Sequence, residues 1–214
     1  MKLDLHLHTR HSMDSLNTPE AAIRAALKRG LDGIAITDHN TTKGWEEAKK
    51  AARKLGAKLV LGEEIMTPDG EVLGLFLKRP VNRRDFGGVI EEIKKQGGVV
   101  AIPHPFDGFR PGLGKKLEGV LDKIDAIEVF NSRMLSSEGN DRARRFAEKH
   151  RLGMTGGSDA HSRGEVGNAF TYAKARNLDE FKKAILNRKT KVSGIKSGLF
   201  VHAKSYWARI RNRM

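Results

Sequence analysis

The sequence predicts an α/β fold, a single domain built on a TIM-barrel-like barrel of parallel strands with helices outside. Three observations predict it. Short apolar strands alternate with helical segments through most of the 214 residues, an order that produces parallel pairing with right-handed crossovers. The first strand runs into His-Leu-His-Thr-Arg-His, and no glycine-rich phosphate loop occurs anywhere, as an open doubly wound sheet would require. Histidines and carboxylates recur at the ends of successive strands, which a barrel gathers on one rim.

The elements follow in order. Residues 2–8 alternate strictly, with Leu3, Leu5 and Leu7 on one face and Asp4, His6 and His8 on the other. Thr18 caps a helix over 19–29, with Pro19 at its first position and Gly30 as its stop. A strand over 32–37, a helix from 42 or 43 to 55 and a strand over 58–64 come next. Pro68-Asp69-Gly70 turns the chain into a strand over 71–77, a hairpin excursion. Helix 82–96, strand 99–102, a weak helix near 113–121 and strand 126–130 follow, then helix 138–150, strand 152–155 and a last helix near 178–187. Six or seven such βα units in ~200 residues are near the lower size limit of a closed barrel.

Composition narrows the function. Hydrophobic residues make up 38% and charged residues 31%, enough for a core and too apolar for a disordered chain. The absence of cysteine excludes disulfides, a thiolate nucleophile and Cys-based zinc fingers. No apolar run approaches the ~18 residues of a membrane span, and the N-terminus lacks the pattern of a signal peptide. A cytoplasmic protein with no membrane partner is expected. Net charge is +14, of which residues 174–214 carry +10. The expected division is therefore a barrel over 1–173 and a basic C-terminal helix and tail over 174–214, packed on the same domain. The basic excess reads either as a solvated surface or as a patch for phosphate or nucleic acid.

The chemistry sits at the strand ends. His6-Leu7-His8 ends the first strand, Asp38-His39 the second, Glu63-Glu64 the third, Pro103-His104-Pro105 the fifth and Gly157-Ser158-Asp159-Ala160-His161 the seventh. His6 and His8, two apart on a strand, point the same way and reach one ion through ~2.1 Å bonds. Alternation sends Glu63 to the face opposite Glu64. His11, His150 and His202 read as ordinary hydrogen-bonded or surface imidazoles, His150 at a helix C-terminus.

HxH, an acidic residue six positions after the second His, TDH, GxE, HP and GSDAH, in this order over residues 4–161, resemble the PHP (polymerase and histidinol phosphatase) family. The resemblance implies a distorted (β/α)7 barrel with two or three divalent ions at its rim and phosphoester hydrolysis as the usual activity. It further implies that His6 and His8 bind one ion, that Glu64 bridges it to a second, and that Asp159 completes the first site. His104 binds the second ion, and Asp14, His39 and His161 hold a third. One further ligand of the second ion is open. Glu128 and Asn131 lie at the sixth strand end, where Glu128 either supports the ligands or is a buried, hydrogen-bonded carboxylate.

Five imidazoles and three carboxylates sum to a formal −3, so two or three divalent ions are needed before a phosphate dianion is attracted. Mixed N/O ligation suits zinc, manganese or iron. The expected reaction is in-line hydrolysis of a phosphate ester by metal-activated water. Arg133 is the first candidate to clamp the phosphate, before Arg10 and Arg163, and the leaving oxygen takes its proton from His161 or from metal-bound water. The expected substrate is a small phosphomonoester or nucleotide. Alternatives are a 5′–3′ exonuclease or 3′,5′-bisphosphate nucleotide hydrolase using the basic tail, a histidinol-phosphate phosphatase, and a nucleic-acid-binding protein with a non-catalytic barrel. The amidohydrolase superfamily, which also begins with HxH, is a chemical rival, but no strand clearly ends in the lysine that usually bridges its metals.

Overall fold

The computed structural model describes residues 1–108, 113–198 and 200–211, without the side chains of Lys115, His202 and Lys204. Strands β1 (Lys2–Asp4), β2 (Gly33–Ile36), β3 (Lys58–Thr67), β4 (Gly70–Leu75), β5 (Val99–Ile102), β6 (Ala126–Asn131) and β7 (Gly153–Gly157) follow the predicted order. Two more, β8 (Ala169–Tyr172) and β9 (Lys191–Gly194), come after them. They form one sheet ordered β7-β6-β5-β4-β3-β2-β1-β8-β9. Pairing is parallel except at β4, which runs antiparallel to both β3 and β5, and at β8, antiparallel to β1 and β9. The Pro68-Asp69 turn sends β4 straight back along β3, and this hairpin is what distorts the barrel.

The sheet closes at one rim. Beyond β1, Leu7 bridges Ala160 in parallel, and Asp159 N–H donates to His6 O at 2.7 Å. Gly157 permits that approach, since a Cβ there would sit 2.6 Å from the His6 amide nitrogen. Asp4 ties the same seam, its carboxylate accepting from Ser158 N–H at 2.9 Å and Gly167 N–H at 2.8 Å. At the opposite end β8 fills the gap, with Gly156 N–H donating to Thr171 Oγ1 at 2.8 Å.

Among the described residues six α-helices accompany the strands: α1 (Pro19–Lys28), α2 (Trp45–Leu55), α3 (Phe86–Lys95), α4 (Ser137–Lys149), α5 (Leu178–Leu186) and α6 (Phe200–Arg211). Thr18 Oγ1 accepts from Ala21 N–H as the cap of α1, with Pro19 in its first turn. α3 starts at Phe86 rather than near 82, because Glu92 takes the Asn82 and Arg83 amides and Asp85 caps the helix. The segment predicted as a weak helix near 113–121 forms a 3₁₀ turn over Gly114–Val120.

Two cores result. Leu3, Leu5, Ala35, Val60, Leu73 and Ala101 fill the barrel, and Phe181 and Ile185 of α5 seal its floor. Between barrel and helices lie Ile34, Ile36, Ile102 and Ile127 from the strands with Ile23, Trp45 and Ile93 from the helices. Each large apolar side chain so buried contributes about 1.5–3 kcal/mol.

Three expectations need correction. The alternation of residues 2–8 is not continuous: Leu3 and Leu5 face the barrel interior, but Leu7 joins the outer core. Regular pairing stops after Asp4, and the break reverses the inward face so that His6 and His8 turn into the barrel mouth. β8 and β9 were not anticipated, since Ala-Phe-Thr-Tyr and Lys-Val-Ser-Gly lack the continuous apolar run of the equally short β2 and β5. The C-terminal stretch, read as one helix and a tail, forms α5, β9 and α6. Residues 199 and 212–214 of that tail lie outside the described residues.

Candidate metal centre

The rim where the sheet closes carries His6, His8, His39, Glu64, His104, Asp159 and His161, each just inside or beyond a strand end. Their backbone is specialised: Asn40, His104 and Asp159 adopt φ of 53°, 26° and 53°. Such left-handed geometry costs a non-glycine residue on the order of 1–3 kcal/mol and gathers at functional sites.

The imidazoles of positions 6, 8, 39, 104 and 161 meet as the strand-end pattern predicts. Ring centroids are 5.9 Å apart for His6 and His104, 4.2 Å for His8 and His39, and 4.3 Å for His8 and His161. His6 Nε2 lies 3.2 Å from His8 Nε2 and 3.3 Å from Glu64 Oε1. His8 Nε2 is 3.3 Å from both Glu64 Oε2 and Asp159 Oδ1, and His6 Nε2 is 3.8 Å from Asp159 Oδ1. Four donors tetrahedrally placed around one ion with ~2.1 Å bonds stand ~3.4 Å apart. These four fit.

Two further groups of donors adjoin. His104 Nε2 is 3.3 Å from Glu64 Oε1 and 3.4 Å from Glu71 Oε2. Glu71 is the candidate donor that sequence reasoning missed. It pairs with Met66 in the β3–β4 register, beside the Glu64–Leu73 pair, so it shares a face with Glu64. The hairpin signal was visible, but its register was not. The third group holds His161 Nε2 at 3.4 Å from Asp14 Oδ1 and His39 Nε2 at 3.7 Å from Asp14 Oδ2.

Several of these atoms are buried without a hydrogen bond: Asp14 Oδ1, Glu64 Oε2, His39 Nδ1 and His104 Nδ1. His39 Nδ1 and Glu64 Oε2 are 3.0 Å apart, close enough to bond but not so oriented. Orphaned buried polar atoms are costly, and the two carboxylate oxygens, which face the Nε2 atoms of His161 and His8, are what an ion relieves. With Glu71 the cluster carries four carboxylates among five imidazoles, a further reason for cations, since buried charges are paired or coordinate metals. The residues present fit divalent ions.

A surrounding layer fixes the tautomers. His6 Nδ1 meets Glu128 Oε1 at 3.0 Å, and Glu128 Oε2 accepts from His104 N–H at 2.9 Å and from Asn131 Nδ2 at 3.0 Å. Glu128 is thus buried and hydrogen-bonded, and it also supports the ligands. Asp38 accepts from Ser12 Oγ at 2.8 Å, and Ser12 Oγ lies 3.3 Å from His8 Nδ1. With each Nδ1 so engaged, Nε2 is the ring nitrogen left to bind an ion. His161 Nδ1 contacts Asp159 O at 2.8 Å, with the same effect.

Electrostatics agree with ligation. Burial, with His39 and His161 nearby, pushes His8 down to about 3. Burial opposes a charge on His39, yet Glu64 lifts it to about 9. His6 is likewise raised well above the usual range, Glu64, Glu128 and Asp159 outweighing its burial. In metal-free protein, protons on His6 and His39 therefore stand where ions would bind.

Other candidates are placed differently. Arg133 is buried, its Nη2 donating to Val201 O at 3.2 Å and Ser205 Oγ at 2.9 Å. Arg10 is exposed and pairs with Glu47, as does His11. Arg163 is exposed. Glu63 faces away from the cluster and accepts from Val81 N–H, as alternation requires. His150 packs on Phe146, and the His202 side chain lies outside the described residues. A cavity of about 750 Å³ opens on the cluster, lined also by Met13, Met66, Arg133, Ser205, Tyr206 and Arg209. None of the described helices is long and apolar enough to cross a membrane.

A family model for the PHP domain matches residues 4–193. Two uncharacterized proteins of Methanocaldococcus jannaschii are 40% identical over 62% of this chain and 82% of theirs, and 35% identical over 84% and 73%. The PolC-type DNA polymerase III of Staphylococcus epidermidis is 27% identical over 70% of the chain, which is 9% of the polymerase. Among solved structures, a two-domain protein of Bacteroides vulgatus containing a predicted PHP-like metal-dependent phosphoesterase superposes with TM-score 0.78 at 23% identity, covering 97% of this chain and 69% of that one. An amidohydrolase of Chromobacterium violaceum, with bound sulfate and no metal, gives TM-score 0.67 at 20% identity, covering 85% and 96%. At these identities the two structures speak to the fold alone.

Proposed function

This chain belongs to the PHP domain family, and on that premise we propose that it is a metal-dependent phosphoesterase acting on a small phosphomonoester or nucleotide. The observation that carries the reading is the convergence of five histidines with Asp14, Glu64, Glu71 and Asp159, several with orphaned lone pairs, at the foot of one cavity.

His6, His8, Glu64 and Asp159 would hold one ion, Glu64, Glu71 and His104 a second, and Asp14, His39 and His161 a third. Ions bound there supply Lewis-acid activation of water and neutralise the phosphate oxygens that gain charge in the transition state. The protein does the rest by position. Glu128 and Ser12 keep the His6 and His8 rings in the ligating tautomer. Asp4 fastens the Gly157–Ser158–Asp159 loop against β1, so that Asp159 reaches the cluster. Met13, Met66 and Tyr206 at the mouth offer apolar contact to a leaving group. His161, with Nδ1 turned to a carbonyl and Nε2 toward Asp14, serves as ligand rather than proton donor.

A second reading, exonuclease-type or 3′,5′-bisphosphate hydrolysis on short nucleic acid, draws on the basic C-terminal fifth and on Tyr206 and Trp207 exposed along α6. Metal analysis followed by a panel of phosphate, amide and lactone substrates tests both readings. Hydrolysis of phosphomonoesters that Glu64→Ala abolishes, with circular dichroism near native, is the expected result. Polynucleotide degradation that falls steeply with salt would favour the second reading. Turnover restricted to amides or lactones would refute the phosphoesterase reading.

A further inference from the structure

We propose that Arg209 of α6 is the side chain that grips the substrate's phosphate at the mouth of the metal centre, and that Arg133 positions it by holding α6. The inference rests on the phosphoesterase reading above and names the protein's own anion-binding group. α6 closes one wall of the cavity through Ser205, Tyr206 and Arg209, and Ala208, 1% exposed, packs it down. Val201, Ser205 and Arg209 are spaced by four, so they share one helical face. The first two meet the Arg133 guanidinium, at 3.2 and 2.9 Å. The third extends into the cavity, where its Nη2 donates to Asp14 Oδ2 at 2.9 Å.

The two arginines are placed for different work. Arg133 is 5% exposed, and its guanidinium is held by α6 and by Glu165, whose Oε1 is 3.5 Å from Nε. Arg209 is half exposed, and its partner is a carboxylate that also faces His39 and His161. A cation taken up by Asp14 and these histidines neutralises that carboxylate. The guanidinium is then left beside the cavity with its fork available to an incoming anion. Arginine suits this task because its planar donors match two phosphate oxygens at once.

The test compares full-length protein with Arg209→Ala, Arg209→Lys and the Arg133→Ala variants, each loaded with manganese. Calorimetric binding of inorganic phosphate, ions bound per chain and hydrolysis of p-nitrophenyl phosphate are measured. Arg209→Ala is expected to weaken phosphate binding and raise KM on the order of 10- to 100-fold, the usual loss for a hydrogen-bonded charge, with kcat and metal content little changed. Arg209→Lys recovers part of the affinity. Arg133→Ala alone weakens phosphate binding, and adding it to Arg209→Ala weakens it no further, because Arg133 acts through Arg209. Unchanged phosphate affinity in Arg209→Ala overturns the proposal. So does a variant that takes up an additional ion and turns over faster, which would make Arg209 a plug in the third site. If wild type binds metal but hydrolyses no phosphate ester, the underlying reading has failed instead.

Discussion

Glu128 touches no proposed ion, yet Glu128→Gln is expected to impair the first metal site severely. Oε1 of Glu128 receives His6 Nδ1 at 3.0 Å, and Oε2 accepts from His104 N–H and Asn131 Nδ2. Glutamine keeps one oxygen, which the two N–H donors on the Oε2 side claim. Its NH2 group is then left facing His6 Nδ1. That nitrogen must become the acceptor, so the ring proton moves to Nε2, the atom that faces Glu64, His8 and Asp159. A protonated Nε2 cannot ligate. Groups that orient a ligating histidine are typically worth 10–100-fold in metal affinity, about 1.4–2.7 kcal/mol, in line with one charge-assisted hydrogen bond. Competition against a chromogenic chelator reads the affinity, and a thermal melt of metal-free protein controls for folding. A variant with wild-type metal affinity and an unchanged melt would refute the tautomer argument.

Metal binding should release protons. His39, lifted to about 9 by Glu64 against its burial, is charged in metal-free protein below that pH. Affinity for ions is therefore expected to rise with pH up to about 9 and then level, close to tenfold per pH unit for each proton displaced, as read by titration in buffers of different ionisation enthalpy. By the same linkage, the stability contributed by charged His39 is complete below its ordinary 6.5 and is lost as pH rises through about 9, which denaturant melts of metal-free protein across that window will show. At the opposite end of the barrel, Phe181 is fully buried in the floor. Phe181→Ala is expected to cost about 3–5 kcal/mol in urea unfolding while the folded fraction still binds metal, and a loss of less than ~1 kcal/mol would mean that α5 does not seal the core.

Much of this molecule was legible in the amino-acid order. Strand positions, helix caps such as Thr18-Pro19 and the Pro68-Asp69-Gly70 turn follow from local chemistry, and parallel order alone gathers the strand-end histidines on one rim. Spacing could not show the register of the returning strand, which sets Glu71 opposite Met66 and beside Glu64. Nor did alternation reveal the break after Asp4 that turns His6 and His8 inward. β8 and β9 lack the continuous apolar run that marks the equally short β2 and β5. α6 carries aromatic and basic residues without a clear apolar stripe, so nothing local marked it as the wall of a cavity. Arg209 and Asp14 stand 195 positions apart. Residue types and their periodicity determined which groups were available and roughly which face each would take. Which of them touch was decided by packing across the nearly closed barrel, because those contacts join segments that no local pattern connects.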